Sequence, residues 1–167
     1  IYAPDFGVLN ATLVQIGLIA EYRSWLGDPL LALYAIGIAD IWKNFPVVAL
    51  IVLAALQTAP QELYDAARVD GAGVLRRFTA VTFPHILGPL TVALVLRTID
   101  TVKVFDIIWV MTRGGPFSST KSMSMLVYER TFSNLQAGAG SAVAFIITMI
   151  CLLFILAYVR LLRREQP

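Results

Sequence analysis

The residues able to do chemistry in this chain are few, and most sit where charge is expensive. Arg97, Asp100, Lys103 and Asp106 recur every third residue inside one apolar stretch, and Asp40, Lys43 and Asn44 interrupt another. Ionisable side chains at membrane depth face a bundle interior or a wet cavity and pair with one another. Two uses stay open for them. They can form a polar path that offers donors and acceptors to a hydroxylated solute, or a ladder of ion pairs that locks helices together. In the row of four, each three-residue step turns a helix by about 300°, so the row spirals by roughly 180° overall. Neighbours in it alternate in sign, which permits pairing. Lys43 can pair with Asp40 or, with Asn44, line a path. No catalytic set accompanies these groups. His85 is the only histidine and Cys151 the only cysteine, so the sequence holds no metal-ligand cluster and no internal disulfide. No Gly-Lys-Ser/Thr phosphate loop occurs either. His85, after Pro84, reads as an interfacial helix-start residue rather than a proton relay, and Cys151 as a small core residue.

A third polar stretch, Glu62 to Gly73, is different in kind. Pro60 suits a first helical position, and Gln61 to Arg68 are mostly good helix formers. Leu63, Ala66, Ala67 and Asp70 then share one face, and Gly71 fits a helix stop. A second short helix is expected from Val74 to Thr82, with Leu75, Phe78 and Val81 or Thr82 on one side and Arg76 and Arg77 on the other. Pro84 would then open the next apolar segment. The small face of Ala66 and Ala67 allows another protein's surface to come close, and Asp65 and Asp70 can fix register through charge-assisted hydrogen bonds. Alanine pairs are common in helices, so a hairpin packed only on its own neighbours is the other reading.

The elements that must position these groups follow from hydropathy. The chain of 167 residues is 58% hydrophobic and 14% charged, far toward the apolar side of ordinary soluble domains. A net charge of +2 is too small to suggest a nucleic-acid binder. A bilayer core needs about 20 mostly apolar residues in a helix. Leu30 to Leu56, Ile86 to Met111 and Ala137 to Val159 qualify, the last with no charge, and Pro46 should kink the first. Val8 to Ala20 is broken by Asn10 and Gln15 and reads as interfacial or re-entrant. The loop after the first span holds Arg68, Arg76 and Arg77, and the C-terminal end holds Arg160, Arg163 and Arg164. The other side has Arg23, Arg113, Lys121 and Arg130. The basic bias places the first loop and the C-terminal tail in the cytoplasm. This gives an external or interfacial segment over 1–29, spans over 30–57, 84–112 and 137–160, a cytoplasmic loop over 58–83, an external loop and helix over 113–136, and a basic tail over 161–167. In the external part, Gly114-Gly115-Pro116 marks a turn, and Lys121 to Phe132 has helical spacing.

At these residues the chain resembles a known family. Asp65-Ala66-Ala67-Arg68-Val69-Asp70-Gly71-Ala72 followed by Phe83-Pro84 is similar to the cytoplasmic signature of the membrane subunits of binding-protein-dependent ABC importers, in their carbohydrate branch. Leu56-Gln57, Pro60 to Tyr64, Trp42 before Pro46, Phe105-Asp106, Thr112 to Pro116 with Thr120, Tyr128 before Phe132, Leu9-Asn10 and Trp25-Leu26 with Pro29 extend the match along nearly the whole chain. Asp65 stands where the family usually has Glu, Phe83 where it has Leu, and Gly138 to Ala142 depart from a usual Gly-Tyr-x-x-Ala.

The resemblance implies an all-α integral membrane protein of the type I ABC importer permease fold. Such permeases usually have about six spans, so this chain, which opens on Ile1, is expected to be the C-terminal part of one. It implies a permease subunit that is not itself an enzyme and needs no cofactor, since ATP is bound by a partner. The expected partners are a cytoplasmic ABC ATPase dimer, a second permease subunit, an extracytoplasmic solute-binding protein and the lipid of a bacterial inner membrane. The loop helix would be the coupling helix, with Asp65, Ala66, Ala67, Asp70 and Gly71 contacting the ATPase. Lys43, Asn44, Asp100, Lys103 and Asp106 are the candidates for the substrate path. A gradient-driven secondary carrier using Asp100 or Asp106, or a non-transporting membrane scaffold, are the competing functions.

Overall fold

The computed structural model describes the backbone of residues 1–164 and the side chains of residues 1–160. Among the described residues the regular structure is entirely helical: α1 (Val8–Gln15), α2 (Pro29–Gln57), α3 (Gln61–Val69), α4 (Val74–Arg77), α5 (Phe83–Val102), α6 (Asp106–Met111), α7 (Met123–Tyr128) and α8 (Ala137–Arg164), with π-helical turns at Phe78–Thr82 and Glu129–Ser133. Three helical stretches are long and apolar enough to cross a membrane: Pro29–Gln57, Val74–Val102 and Ala137–Arg160. Within the most apolar 18-residue window of each, at most 11% is buried by the rest of the described chain. Their apolar surface must therefore be covered by lipid or by other chains. The part of the expected basic tail at 165–167 lies outside the described residues, as do the side chains of Arg163 and Arg164.

Two boundaries differ from the hydropathy reading. The stretch expected as a span over 84–112 is not one helix. α5 ends at Val102, and α6 begins at Asp106 after Phe105 takes φ −138° and ψ −56°. The break is chemically sealed. Ser122 Oγ donates to the Val104 carbonyl at 2.7 Å and Ser124 Oγ to the Lys103 carbonyl at 3.0 Å, so backbone groups that leave the helical ladder still have partners. Arg97, Asp100, Lys103 and Asp106 are accordingly not one helical spiral. The first two ride on α5, Lys103 lies in the break, and Asp106 opens α6.

The second difference lies upstream. Pro84 does not open a new helix, because helix runs without interruption from Val74. Proline removes one N–H and crowds the carbonyl four residues back. The π turn at Phe78–Thr82 loosens the ladder at that point, with the Phe83 N–H reaching the Phe78 carbonyl. Thr79 Oγ1 lies 3.2 Å from the carbonyls of both Leu75 and Arg76 and adds side-chain donation there. α2 likewise remains helical on both sides of Pro46.

The chain divides into two compact units. The first comprises residues 1–43 and 102–148. Its core is Ile36, Ile108 and Met125, with Val104, Phe105, Ile107, Trp109 and Met111 packed around it. Four aromatic rings form a ladder beside that core. Phe105 stacks on Trp109 at 5.5 Å, Trp109 meets Tyr128 edge-on at 5.0 Å, and Tyr128 packs on Phe132 at 5.5 Å. Gly140 is needed for close approach, since a Cβ there would collide with Thr131 Oγ1. The turn after α6 is held by Thr120, whose hydroxyl lies 2.7 Å from Thr112 Oγ1 and from the Gly115 carbonyl, around a cis Gly115–Pro116 bond. Only Val8–Gln15 of the segment read as interfacial is helical.

The second unit comprises residues 44–101 and the chain from Met149 onward. His85 Nε2 lies 3.1 Å from the Ala55 carbonyl and 3.3 Å from Thr58 Oγ1, so the imidazole ties the start of α5 to the end of α2. Thr98 Oγ1 and the Tyr158 hydroxyl are 3.0 Å apart and link α5 to α8.

Asn10 organises the N-terminal segment of the first unit. It is fully buried. Its amide donates to the carbonyls of Pro4 and Arg23 at 3.0 and 2.9 Å, and its oxygen accepts from Trp25 Nε1 at 2.7 Å and from the Arg23 N–H at 3.3 Å. Asn10→Leu keeps the volume but strands these partners. It should cost about 2–4 kcal/mol, read as a lower thermal midpoint of the detergent-solubilised protein and as new protease cleavage before Pro29.

Candidate functional site

The loop between α2 and α5 carries the most exposed helix of the second unit. α3 has no buried residue. Pro60 sits in extended conformation immediately before it, and Glu62 lies in its first turn and Arg68 in its last, each the charge that the helix dipole favours there. Its C-terminus is a closed hydrogen-bonded cap. The Gly71 N–H bonds to the Arg68 carbonyl at 3.0 Å and the Ala72 N–H to the Ala67 carbonyl at 2.9 Å, with Gly71 at φ +71°. Nothing lies within 4 Å of where a Gly71 Cβ would be, so the requirement for glycine is conformational and not steric.

The expected contact residues fall as follows. Asp65, Ala66, Asp70 and Gly71 are exposed and Ala67 is half-buried. Asp65 is engaged by its own helix, accepting from Arg68 Nη1 at 2.9 Å. Both side chains of that pair are 58% exposed, so the bridge is weak and open to exchange with an outside partner. Tyr64 anchors α3 inward through a 3.0 Å hydroxyl contact with Thr82 in the π turn.

The charged residues of the spans separate into two places. In the first unit, Lys43 Nζ donates to Asp106 Oδ2. This pairing joins α2 to α6 and is neither of the intrahelical pairings that spacing suggests. Its side chains are 50% and 67% exposed. Lys43 lies midway along the span Pro29–Gln57. An ion pair that open at mid-span cannot face hydrocarbon and must face water or a further chain. In the second unit, Asn44, Arg97 and Asp100 line one cleft of about 200 Å³ whose remaining walls are Val47, Val48, Ile51, Ala93 and Leu96. That volume is below the roughly 300–1,000 Å³ of complete small-molecule sites and suits one wall of a site shared with another chain. Lys103 lies between α5 and α6, where its carbonyl accepts from Ser124 Oγ.

Arg97 belongs to the cleft although the path residues read from sequence omit it. The aromatic ladder was also missed, although Phe105 with Trp109 and Tyr128 with Phe132 are two i, i+4 aromatic pairs that a helical reading exposes.

Residues 4–166 match the family described as binding-protein-dependent transport system inner membrane component, and the chain belongs to that family. It is 42% identical over 160 residues to the trehalose/maltose transport system permease protein MalF of Thermococcus litoralis, covering 95% of this chain and 53% of the relative. It is 40% identical over 162 residues to the sulfoquinovosyl glycerol transport system permease protein SmoG of Agrobacterium fabrum, covering 97% and 52%. The chain thus spans about half the length of these curated relatives. The crystal structure of a bacterial ABC transporter involved in the import of the acidic polysaccharide alginate superposes with a TM-score of 0.88 at 24% identity, over 99% of this chain and 58% of its counterpart. The same kind of transporter in complex with an alginate pentasaccharide-bound periplasmic protein gives 0.83 at 26% identity, over 98% and 56%. The all-α fold is that of a type I ABC importer permease.

The Gly71 cap gives a local test. Gly71→Ala should destabilise the end of α3 by about 1 kcal/mol, the cost of a left-handed L-residue, while Gly71→Asn should cost less. Hydrogen exchange at the amides of Gly71 and Ala72 reads the difference, with faster exchange in the alanine variant.

Proposed function

We propose that the chain is part of the transmembrane permease subunit of an ABC importer for a carbohydrate, and that α3 is the helix through which a separate ATPase drives it. The observation that carries this reading is the form of α3. It is exposed along its length, small at Ala66 and Ala67, and closed by a glycine cap, between two helices long enough to span a bilayer. A helix that merely packed on its own spans would bury its apolar side, yet Leu63 and Val69 are 50% and 88% exposed. The relatives named as trehalose/maltose and sulfoquinovosyl glycerol permeases support a carbohydrate substrate, and the alginate complex supports delivery by a periplasmic binding protein. In this reading the α2–α5 loop lies in the cytoplasm and the α6–α8 segment on the far side of the inner membrane. An ATPase dimer and a second permease complete the complex, and ATP is hydrolysed by the former.

The candidates for the substrate path are, in the first unit, Lys43 and Asp106 with Lys103 and, in the second, the cleft residues Asn44 and Asp100 with Arg97. These side chains offer cationic donors and carboxylate acceptors to sugar hydroxyls.

Two measurements test the reading. Ala66→Trp in the assembled transporter should abolish co-purification of the ATPase without reducing membrane insertion, and Gly71→Val should leave ATP hydrolysis detached from uptake. Normal uptake in both would overturn the coupling role. Exchanging the ion pair, Lys43→Asp with Asp106→Lys, should restore assembly lost in either single variant while leaving uptake at least tenfold down. Full recovery of uptake would make the pair structural only.

A further inference from the structure

We infer that a pocket beside α3 holds the phosphate of an anionic lipid headgroup. The pocket, about 240 Å³, is lined by Tyr64, Val74, Arg77, Phe78 and Thr82. Arg77 Nε is enclosed and, among the described residues, has no hydrogen-bond partner. Folded proteins hold few such donors, and each calls for something that satisfies it. Shutting a guanidinium N–H away from water with no acceptor forfeits its hydration for nothing. The lining contains no carboxylate to answer the charge. The hydroxyls of Tyr64 and Thr82 are 3.0 Å apart, so one hydrogen serves that bond and the other hydroxyl keeps a hydrogen to donate. A planar N–H fork beside a spare O–H is a receptor for an oxyanion with more than one acceptor atom.

Depth selects the source. The helical stretch Val74–Val102 has 29 residues, about 43 Å at the ~1.5 Å rise, against ~40–45 Å for a bilayer including its headgroups. Arg77, in the first turn, then stands at headgroup level. The side chains around it are apolar and open: Val74 is 76% exposed, Leu75 77% and Phe78 46%. A cation ringed by exposed apolar residues fits the boundary between acyl chains and phosphates, where the inner leaflet's anionic lipids draw arginine. A carboxylate from a docked protein would meet the same donors but would leave Val74 and Leu75 without an apolar partner at that depth. The inference rests on the reading that the α2–α5 loop lies at the inner face of the membrane.

The test uses the full-length subunit with its assembled partners, reconstituted in vesicles of equal parts phosphatidylglycerol and phosphatidylcholine and re-extracted in mild detergent. Mass spectrometry then counts the phospholipids that stay bound. Wild type should retain phosphatidylglycerol in preference to phosphatidylcholine, Arg77→Gln should lose that preference, and Arg130→Gln, on the opposite side, should keep it. Val74→Trp, which fills the pocket from an exposed position, should also lose it and serves where Arg77→Gln does not assemble. Equal retention by wild type and both pocket variants overturns the site. So does displacement of the bound phosphatidylglycerol by inorganic phosphate alone, which would assign the pocket to a free ion. Loss of the ATPase from Arg77→Gln with lipid retention intact also overturns it, in favour of a protein carboxylate. Lipid retention is read without transport, so its failure leaves the coupling role of α3 standing, and failure of Ala66→Trp leaves the lipid count unaffected.

Discussion

The structure depends on a constraint that the chain cannot meet alone: a helix apolar around its circumference needs an apolar surrounding. The three long helices bury very little of themselves, and residues such as Leu33, Leu50, Leu96, Phe145 and Leu153 stand open. In such a surrounding every backbone polar group must be satisfied from within, and the irregular places show how this is done. Serine hydroxyls take the carbonyls released where α5 stops, Thr79 serves the carbonyls before the π turn, and His85 reaches the last turn of α2. The irregularities are thus sealed individually by polar side chains, and those of Ser122, Ser124 and His85 also tie one segment to another.

The same constraint makes departures from apolarity informative. An ion pair half-open at mid-span has no place in hydrocarbon, and a helix with no buried residue has no structural reason to be so well capped. Lys43–Asp106 and α3 are two places among the described residues where this chain keeps polar groups presented outward at an energetic cost. Both point to surfaces that other molecules complete.

What was legible in the sequence follows from how local the signal is. The first and last long helices, α3 and its Gly71 stop are set by composition and by spacing within a few residues, and the structure has helices at those places. The break after Val102 was not, because it is stabilised by Ser122 and Ser124 from some twenty residues away, and hydropathy alone carries straight through Val104 to Met111. The uninterrupted helix across Pro84 was missed for a related reason. Proline normally signals a start or a kink, and the π turn that accommodates it has no sequence signature of its own. The Lys43–Asp106 pair was out of reach in the same way, since spacing offers Lys43 only partners on its own helix and chain topology brings Asp106 to it. The substrate path and the residues touching a partner ATPase concern surfaces that other chains would complete, and single-chain patterns speak to them only indirectly.

The π turn at Phe78–Thr82 has a mechanical meaning. Because helix is unbroken from Val74 to Val102, a continuous backbone ladder joins the loop that carries α3 to the body of this long helix, with Pro89 inside it. Tyr64 ties α3 to that same rod through Thr82. α3 and the start of this 29-residue helix are thus held together by a side-chain bond, so a displacement of one bears directly on the other.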